Sequence, residues 1–232
     1  MGAYAPTRRG AHQPMAYASD IEAVNAELVE VATLVGLAMF SATRALLNCD
    51  NDLAQSVIAQ DERIDILTAD IEERCVDLIS AQQPTERDLR ILIGSLRIAA
   101  SLERMGDLAS HVAKQARMRF PNAVVPEDLR GTFEEMGALA QAIVTKTGQV
   151  IATKDLSLAA DIAAHDEEVD RLHRELFRVV LSPAWASGIE AAIDITLLSR
   201  YYERYADHAV SVTRRLITIV TGEPYVGVSL TQ

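Results

Sequence analysis

Glu103-Arg104-Met105-Gly106-Asp107 returns one hundred residues later as Glu203-Arg204-Tyr205-Ala206-Asp207. Each copy runs on to an alanine (Ala109, Ala209) and a valine (Val112, Val212). Upstream, Asp61-Glu62-Arg63-Ile64-Asp65-Ile66-Leu67 is echoed by Asp166-Glu167-Glu168-Val169-Asp170-Arg171-Leu172. Repetition of this kind says that the chain is one structural unit written twice, each unit carrying two acidic i, i+4 pairs.

Working outward, Pro84 separates the two acidic segments of the first unit, and the Ala186–Ser187 turn separates those of the second. The pair Asp61/Asp65 is centred on residue 63 and Glu103/Asp107 on residue 105, each twenty-one residues from Pro84. In the second unit the centres fall at 168 and 205, equidistant from the 186–187 turn. Equal distances from the turn of an antiparallel helix hairpin mean equal heights, so in each unit the two pairs can face each other.

The rest of the chain reads as helix. Ser19-Asp20-Ile21-Glu22 has the form of a capping box and predicts the start of a first helix ending at Asn48-Cys49-Asp50-Asn51. Val24, Leu28, Val31, Val35 and Ala38 follow with three-four spacing. A second helix is expected from Asp52 to Gln82, and a third from Thr85-Glu86-Arg87-Asp88 to Arg119. Two prolines, Pro121 and Pro126, divide the halves. Helices from 126 to 153 and from 156 to 181 come next. The last opens on a second box, Ser187-Gly188-Ile189-Glu190, and ends at Gly222-Glu223-Pro224. The reading is therefore all-α: two tandem three-helix bundles with spectrin-repeat-like packing, stacked end to end, at 19–120 and 126–224. Residues 1–18 are read as a disordered extension, since Pro6, Pro14, Gly2 and Gly10 interrupt any apolar period. The glycines Gly94, Gly106, Gly137 and Gly148 suit close helix packing, as no phosphate-loop pattern contains them.

Composition narrows the function. Of 232 residues, 49% are hydrophobic and only 5% aromatic, which favours aliphatic helix packing over a sheet sandwich. A net charge of −11 argues against a nucleic-acid backbone as partner. Cys49 and Cys75 have neither metal-ligand nor secretory spacing, so reduced cytosolic thiols are expected. The uncharged run Val31–Thr43 is shorter than the roughly twenty residues of a membrane span, and a soluble protein is expected. No Ser-His-Asp order, nucleophile elbow, kinase signature or Rossmann fingerprint occurs, so no enzyme is indicated.

Acidic pairs are common by chance. Acids fill 33 of 232 positions, so random placement yields about five i, i+4 pairs, and six occur. Glu73/Asp77 and Glu190/Asp194 are assigned to that background; the position of the other four is what carries meaning. Residues four apart sit about 40° apart around a helix and about 6 Å along it, so both carboxylates leave from one face. Four such groups packed together must take up protons, pair with arginines or bind cations. Arg63, Arg104, Arg171 and Arg204 are in reach for a salt-bridge network. An all-oxygen ligand set alternatively suits hard cations. His111 and His173 sit within a helical turn of site acids, and His208 adjoins Asp207, but the units do not share these histidines, which points to packing roles. Tyr201 and Tyr202 read as core or interface residues.

The doubled pattern resembles the PhoU family of bacterial phosphate-signalling regulators. Arg87-Asp88-Leu89-Arg90 leading into Leu102-Glu103-Arg104-Met105-Gly106-Asp107 is similar to the family's first repeat. The run from Arg200 through Tyr201-Tyr202-Glu203-Arg204-Tyr205-Ala206-Asp207-His208 to Ala209 is similar to its second. The resemblance extends from about Asp20 to Pro224. It implies multinuclear metal clusters, of Fe or of Zn, Mg, Mn or Ca, with Asp61, Asp65, Glu103 and Asp107 at one site and Asp166, Asp170, Glu203 and Asp207 at the other. It also implies a non-enzymatic homodimeric adaptor in the cytoplasm, peripheral at the inner face of the membrane. Its implied partners are the ATPase subunit of the phosphate ABC transporter and a sensor histidine kinase, and its role is to repress phosphate uptake and the starvation response. Two other readings stand beside this one. A di-iron carboxylate oxidase needs Glu-x-x-His on two helices, whereas only Asp170-x-x-His173 occurs in these motifs. The other is a metal-free helical scaffold.

Overall fold

Six long helices carry the chain in the computed structural model, which describes residues 14–81 and 84–223: α1 (Pro14–Asn48), α2 (Asn51–Ala81), α3 (Glu86–Arg119), α4 (Arg130–Thr153), α5 (Ala159–Val180) and α6 (Gly188–Thr221). Short 3-10 turns, Glu127–Leu129 and Leu156–Leu158, lead into α4 and α5. No strand occurs among the described residues. The breaks fall where turn chemistry puts them. Asp50 Oδ1 accepts from Leu53 N at 2.9 Å to start α2. Thr85 and Asp88 form a complete capping box at α3, and Gly222, with φ 80°, closes α6 in the left-handed conformation only glycine adopts freely.

Two expected caps are not made. Helix α1 begins at Pro14, so Ser19 lies inside it: nothing between the two breaks the helix, and a proline is favoured in the first turn. Tyr17 is already packed into the core, which moves the boundary of the expected extension back to at least Pro14; residues 1–13, like the tail from Pro224, lie outside the described residues. Ser187 makes no side-chain cap, because its backbone (φ −81°, ψ 2°) is not in the extended conformation that an N-cap hydroxyl requires. Gly188 turns the chain there with φ 84°, and its carbonyl accepts from Trp185 Nε1 at 2.8 Å.

Each half is a three-helix bundle, α1–α2–α3 and α4–α5–α6, but the halves are not stacked end to end. They lie side by side, with α1 packed along α4 and α3 along α6 as extensively as helices within one half. A single apolar core results, to which all six helices contribute. The expected stripe of α1 supplies much of it: Val24, Leu28, Val31 and Val35 are buried to 2% exposure or less. By length and composition α1 (17–48) is apolar enough to cross a membrane, yet this stripe faces the other helices. Small residues permit the close crossings. A Cβ on Gly137 of α4 would stand 2.6 Å from Thr43 Cγ2 of α1, and one on Gly94 of α3 would stand 2.5 Å from Ile219 Cδ1 of α6. Gly148 is looser, 3.7 Å from Ala32 Cβ. Where Thr43, Gly137 and α6 meet, Thr43 Oγ1 donates to Met39 O at 2.9 Å and therefore accepts from the fully buried Tyr202 hydroxyl at 2.7 Å.

Candidate metal centres

The two hairpins set the expected carboxylates at matching heights, within electrostatic reach of one another. On the first, Asp61 and Asp65 of α2 face Glu103 and Asp107 of α3; on the second, Asp166 and Asp170 of α5 face Glu203 and Asp207 of α6. The electrostatics show the register. Asp61 feels Asp107 and Glu103 feels Asp65, two cross-helix pairs symmetric about residue 84. Asp166 feels Asp207 and Glu203 feels Asp170, symmetric about the 186–187 turn. Gly106 lets α2 approach α3 at the first cluster: its Cα faces Ile64 and Asp61 Oδ1, which an added Cβ would meet at 3.1 and 3.4 Å. Alanine stands at the matching position of the second, Ala206.

Crowding is written in the acidities. Burial, followed by the charges of neighbouring carboxylates, holds Asp61, Glu103, Glu203 and Asp207 above the usual carboxylate range. Asp166 is pushed up to about 7, by burial first and then by Asp207 and Asp170. Three carboxyls of the second cluster are raised, against two of the first. The second cluster borders a cavity of about 280 Å³ lined by Asp166, Asp207, Arg204, His208, Ser211 and Arg214.

Cations offset part of the charge, only partly the ones the sequence suggests. Arg104 pairs with Asp107 at 2.8 Å, as expected, but Arg63 turns to Glu30 of α1 and Arg171 to Glu168 and Glu175. Arg200 bonds Glu203, and Arg174 stands 3.7 Å from Asp170. Lys114 eases the charge on Asp61 and Arg214 that on Asp166. These two cations are again one hundred residues apart, a repeat signal that was present in the sequence.

Of the three histidines beside the site acids, His208 lines the cavity of the second cluster. His173 Nδ1 is 2.9 Å from Ser199 Oγ, with its ring edge-on to Phe177, and burial lowers its pKa. His111 Nδ1 lies 2.7 Å from Asp107 O, and its ring stacks on Tyr201 across the α3–α6 seam. His208 is half-buried, with its pKa lowered by burial and then by Arg204; Arg104 of the first half also acts on it. The two clusters therefore adjoin one seam.

The donor set fits a hard cation in chemistry: every candidate ligand atom is a carboxylate oxygen, and Glu203 Oε2 is buried with no hydrogen-bond partner among the described residues. As placed, no three acids, histidines or cysteines among the described residues are grouped closely enough to hold an ion. Unscreened carboxylates repel, and three arginines hold oxygens of Asp107, Glu203 and Asp170, so ligation would require the side chains to converge.

The PhoU domain matches the chain twice, over residues 28–116 and 133–216. The chain belongs to the PhoU family. It is 43% identical to a phosphate-specific transport system accessory protein of Mycobacterium tuberculosis, PhoU homolog 2, over 89% of this chain and 97% of that protein. The crystal structure of PhoU from Pseudomonas aeruginosa superposes with a TM-score of 0.81 at 29% identity, over 89% of this chain and 100% of that one. PhoU from Streptococcus pneumoniae shares the fold at 24% identity, with a TM-score of 0.80 over 90% of this chain and 98% of that one. The PhoU fold is thus what sets the two acidic hairpins beside each other.

Proposed function

We propose that this PhoU protein is a non-enzymatic, metal-binding adaptor of phosphate homeostasis. It restrains phosphate uptake and the starvation response by linking the phosphate ABC transporter, through its ATPase subunit, to a sensor histidine kinase. It works in the cytoplasm at the inner face of the membrane, as a homodimer. The observation that carries the reading is the pair of matched four-carboxylate clusters, one with a buried, unpartnered glutamate oxygen, in a chain whose relatives are named accessory proteins of phosphate-specific transport. Asp61, Asp65, Glu103 and Asp107 would hold one cluster, and Asp166, Asp170, Glu203 and Asp207 the other. Bound cations would neutralise the crowded carboxylates and draw each hairpin into one geometry. The residues themselves orient the docking face and keep its charge balanced; the chain presents long helix surfaces for partners to read.

The test is a phosphate-responsive reporter assayed in high phosphate. The deletion strain is expected to express the starvation genes, and wild-type protein to silence them again. Normal repression in the deletion strain, with no second copy of the gene present, refutes the adaptor. A Glu203→Gln/Asp207→Asn variant that is depleted of metal yet represses fully keeps the adaptor and removes metal from its mechanism.

A further inference from the structure

Near the first turns of α1 and α3 and the last turns of α6, the helices leave a second kind of cavity. It measures about 340 Å³ and is bounded by α1, α3, α6 and the residue that caps α4. Its walls are apolar: Ile21, Leu28, Ile91, Ile98, Leu216 and Ile219. That size and lining are typical of small-molecule sites, which bury an apolar body and fix it with a few polar groups.

The polar group here is Lys154. It caps α4 with φ 60°, a left-handed conformation uncommon for a residue with a side chain. Its Nζ donates to Asn25 Oδ1 and, at 2.8 Å, to Ile151 O. Both partners are neutral, and an ammonium has three protons to give. No carboxylate pairs with Lys154 among the described residues, and burial alone lowers its pKa. The partial negative charge of the α4 C-terminus at Ile151 O offsets part of the cost of desolvating this cation, and a full anion placed beside it offsets more. Arg87 stands exposed on the same rim, likewise without an ion pair among the described residues, and Ser95 adds a hydroxyl to the wall. Glu22 is the one acid lining the cavity. The local charge is therefore positive in a chain whose net charge is −11.

We propose that this cavity is a binding site for a small amphipathic anion, a carboxylate on a short alkyl tail, with the head group on Lys154 and the tail among the isoleucines and leucines of α1, α3 and α6. The proposal uses none of the acidic-cluster residues and stands apart from the adaptor reading.

Octanoate is the probe, with octanol as its neutral counterpart, titrated into the full chain and followed by methyl NMR. Octanoate is expected to shift the Ile91, Ile98, Leu216 and Ile219 methyl signals saturably, and octanol to bind at least fivefold more weakly. Lys154→Met should weaken octanoate at least fivefold while leaving octanol unchanged. Val220→Trp alters an exposed residue of the rim and should block both ligands without disturbing the core. Absence of saturable shifts at these methyls overturns the site. Equal affinity of Lys154→Met and wild type for octanoate, or of octanoate and octanol for wild type, overturns the role of the ammonium and with it the ligand class.

Discussion

Arg119 at the end of α3 grips Asp194 near the start of α6 with two hydrogen bonds, Nε to Oδ2 at 2.8 Å and Nη2 to Oδ1 at 3.1 Å. Gln115 Nε2 completes the set on Oδ1 at 2.5 Å, and Arg119 also reaches Glu190. Asp194 is only 4% exposed, so this pairing is an internal tie between the halves rather than a surface ion pair. Removing one member of a buried pair strands the other. Because the Arg119 side chain keeps 27% of its surface in solvent, the loss is smaller than for a fully enclosed pair. Asp194→Ala is expected to lower the urea midpoint. Asp194→Ala combined with Arg119→Met should cost less than the two single changes added together.

Gly137 is predicted to resist enlargement. The Cβ of Gly137→Ala would meet Thr43 Cγ2 at 2.6 Å, and Thr43 is held both by its β-branch and by the bond from Tyr202. Overpacking of this kind costs about 1–3 kcal/mol. Thermal melting should show the loss, and Gly137→Ala on a Thr43→Ser background should recover part of it.

Asp166 gives the metal-stripped protein a pH dependence of definite sign. Its carboxyl is raised to about 7 when folded, chiefly by burial, against an ordinary value of about 3.9. The folded state thus binds the proton more tightly than the unfolded one, and this contribution is whole below about pH 4 and lost as pH rises through about 7. Comparing melting temperatures at pH 5 and pH 8 with metal removed, we expect wild type to fall by more than Asp166→Asn does. A fall of equal size in both would remove Asp166 as its source.

The first acidic cluster has its own test. Asp65→Asn with Glu103→Gln removes two negative charges from a crowded face and no core contact, so helicity measured by circular dichroism should be unchanged. Elemental analysis of the purified protein should show metal content roughly halved if the two clusters bind alike. Content equal to wild type would show that these two residues are not ligands.

What the sequence revealed divides along physical lines. The pairing of Asp61 with Asp107 and of Asp166 with Asp207 was legible, because antiparallel register needs only the position of a turn, and Pro84 and Ser187 mark the turns. Caps were less legible: Ser19 and Ser187 have the right neighbours, but a cap depends on backbone angles that Pro14 and Gly188 decide. The side-by-side join was not legible, since periodicity tells which face is buried and not what covers it. For the same reason the sequence places Glu190/Asp194 in the chance background, although Asp194 is 4% exposed in the α3–α6 seam. Lys114 and Arg214 could have been found, by following the hundred-residue echo seven residues past Asp107 and Asp207.

The seam between α3 and α6 has a thermodynamic consequence. Arg104 ties down Asp107 in one cluster while its charge reaches His208 beside the other, and His111 stacks on Tyr201 between them. Were both clusters to hold cations, filling one would change the energy of the other across this seam, and linkage would make the effect equal in both directions. A repeat that began as two copies of one message would then answer as one element, with a steepness set by the strength of that shared wall.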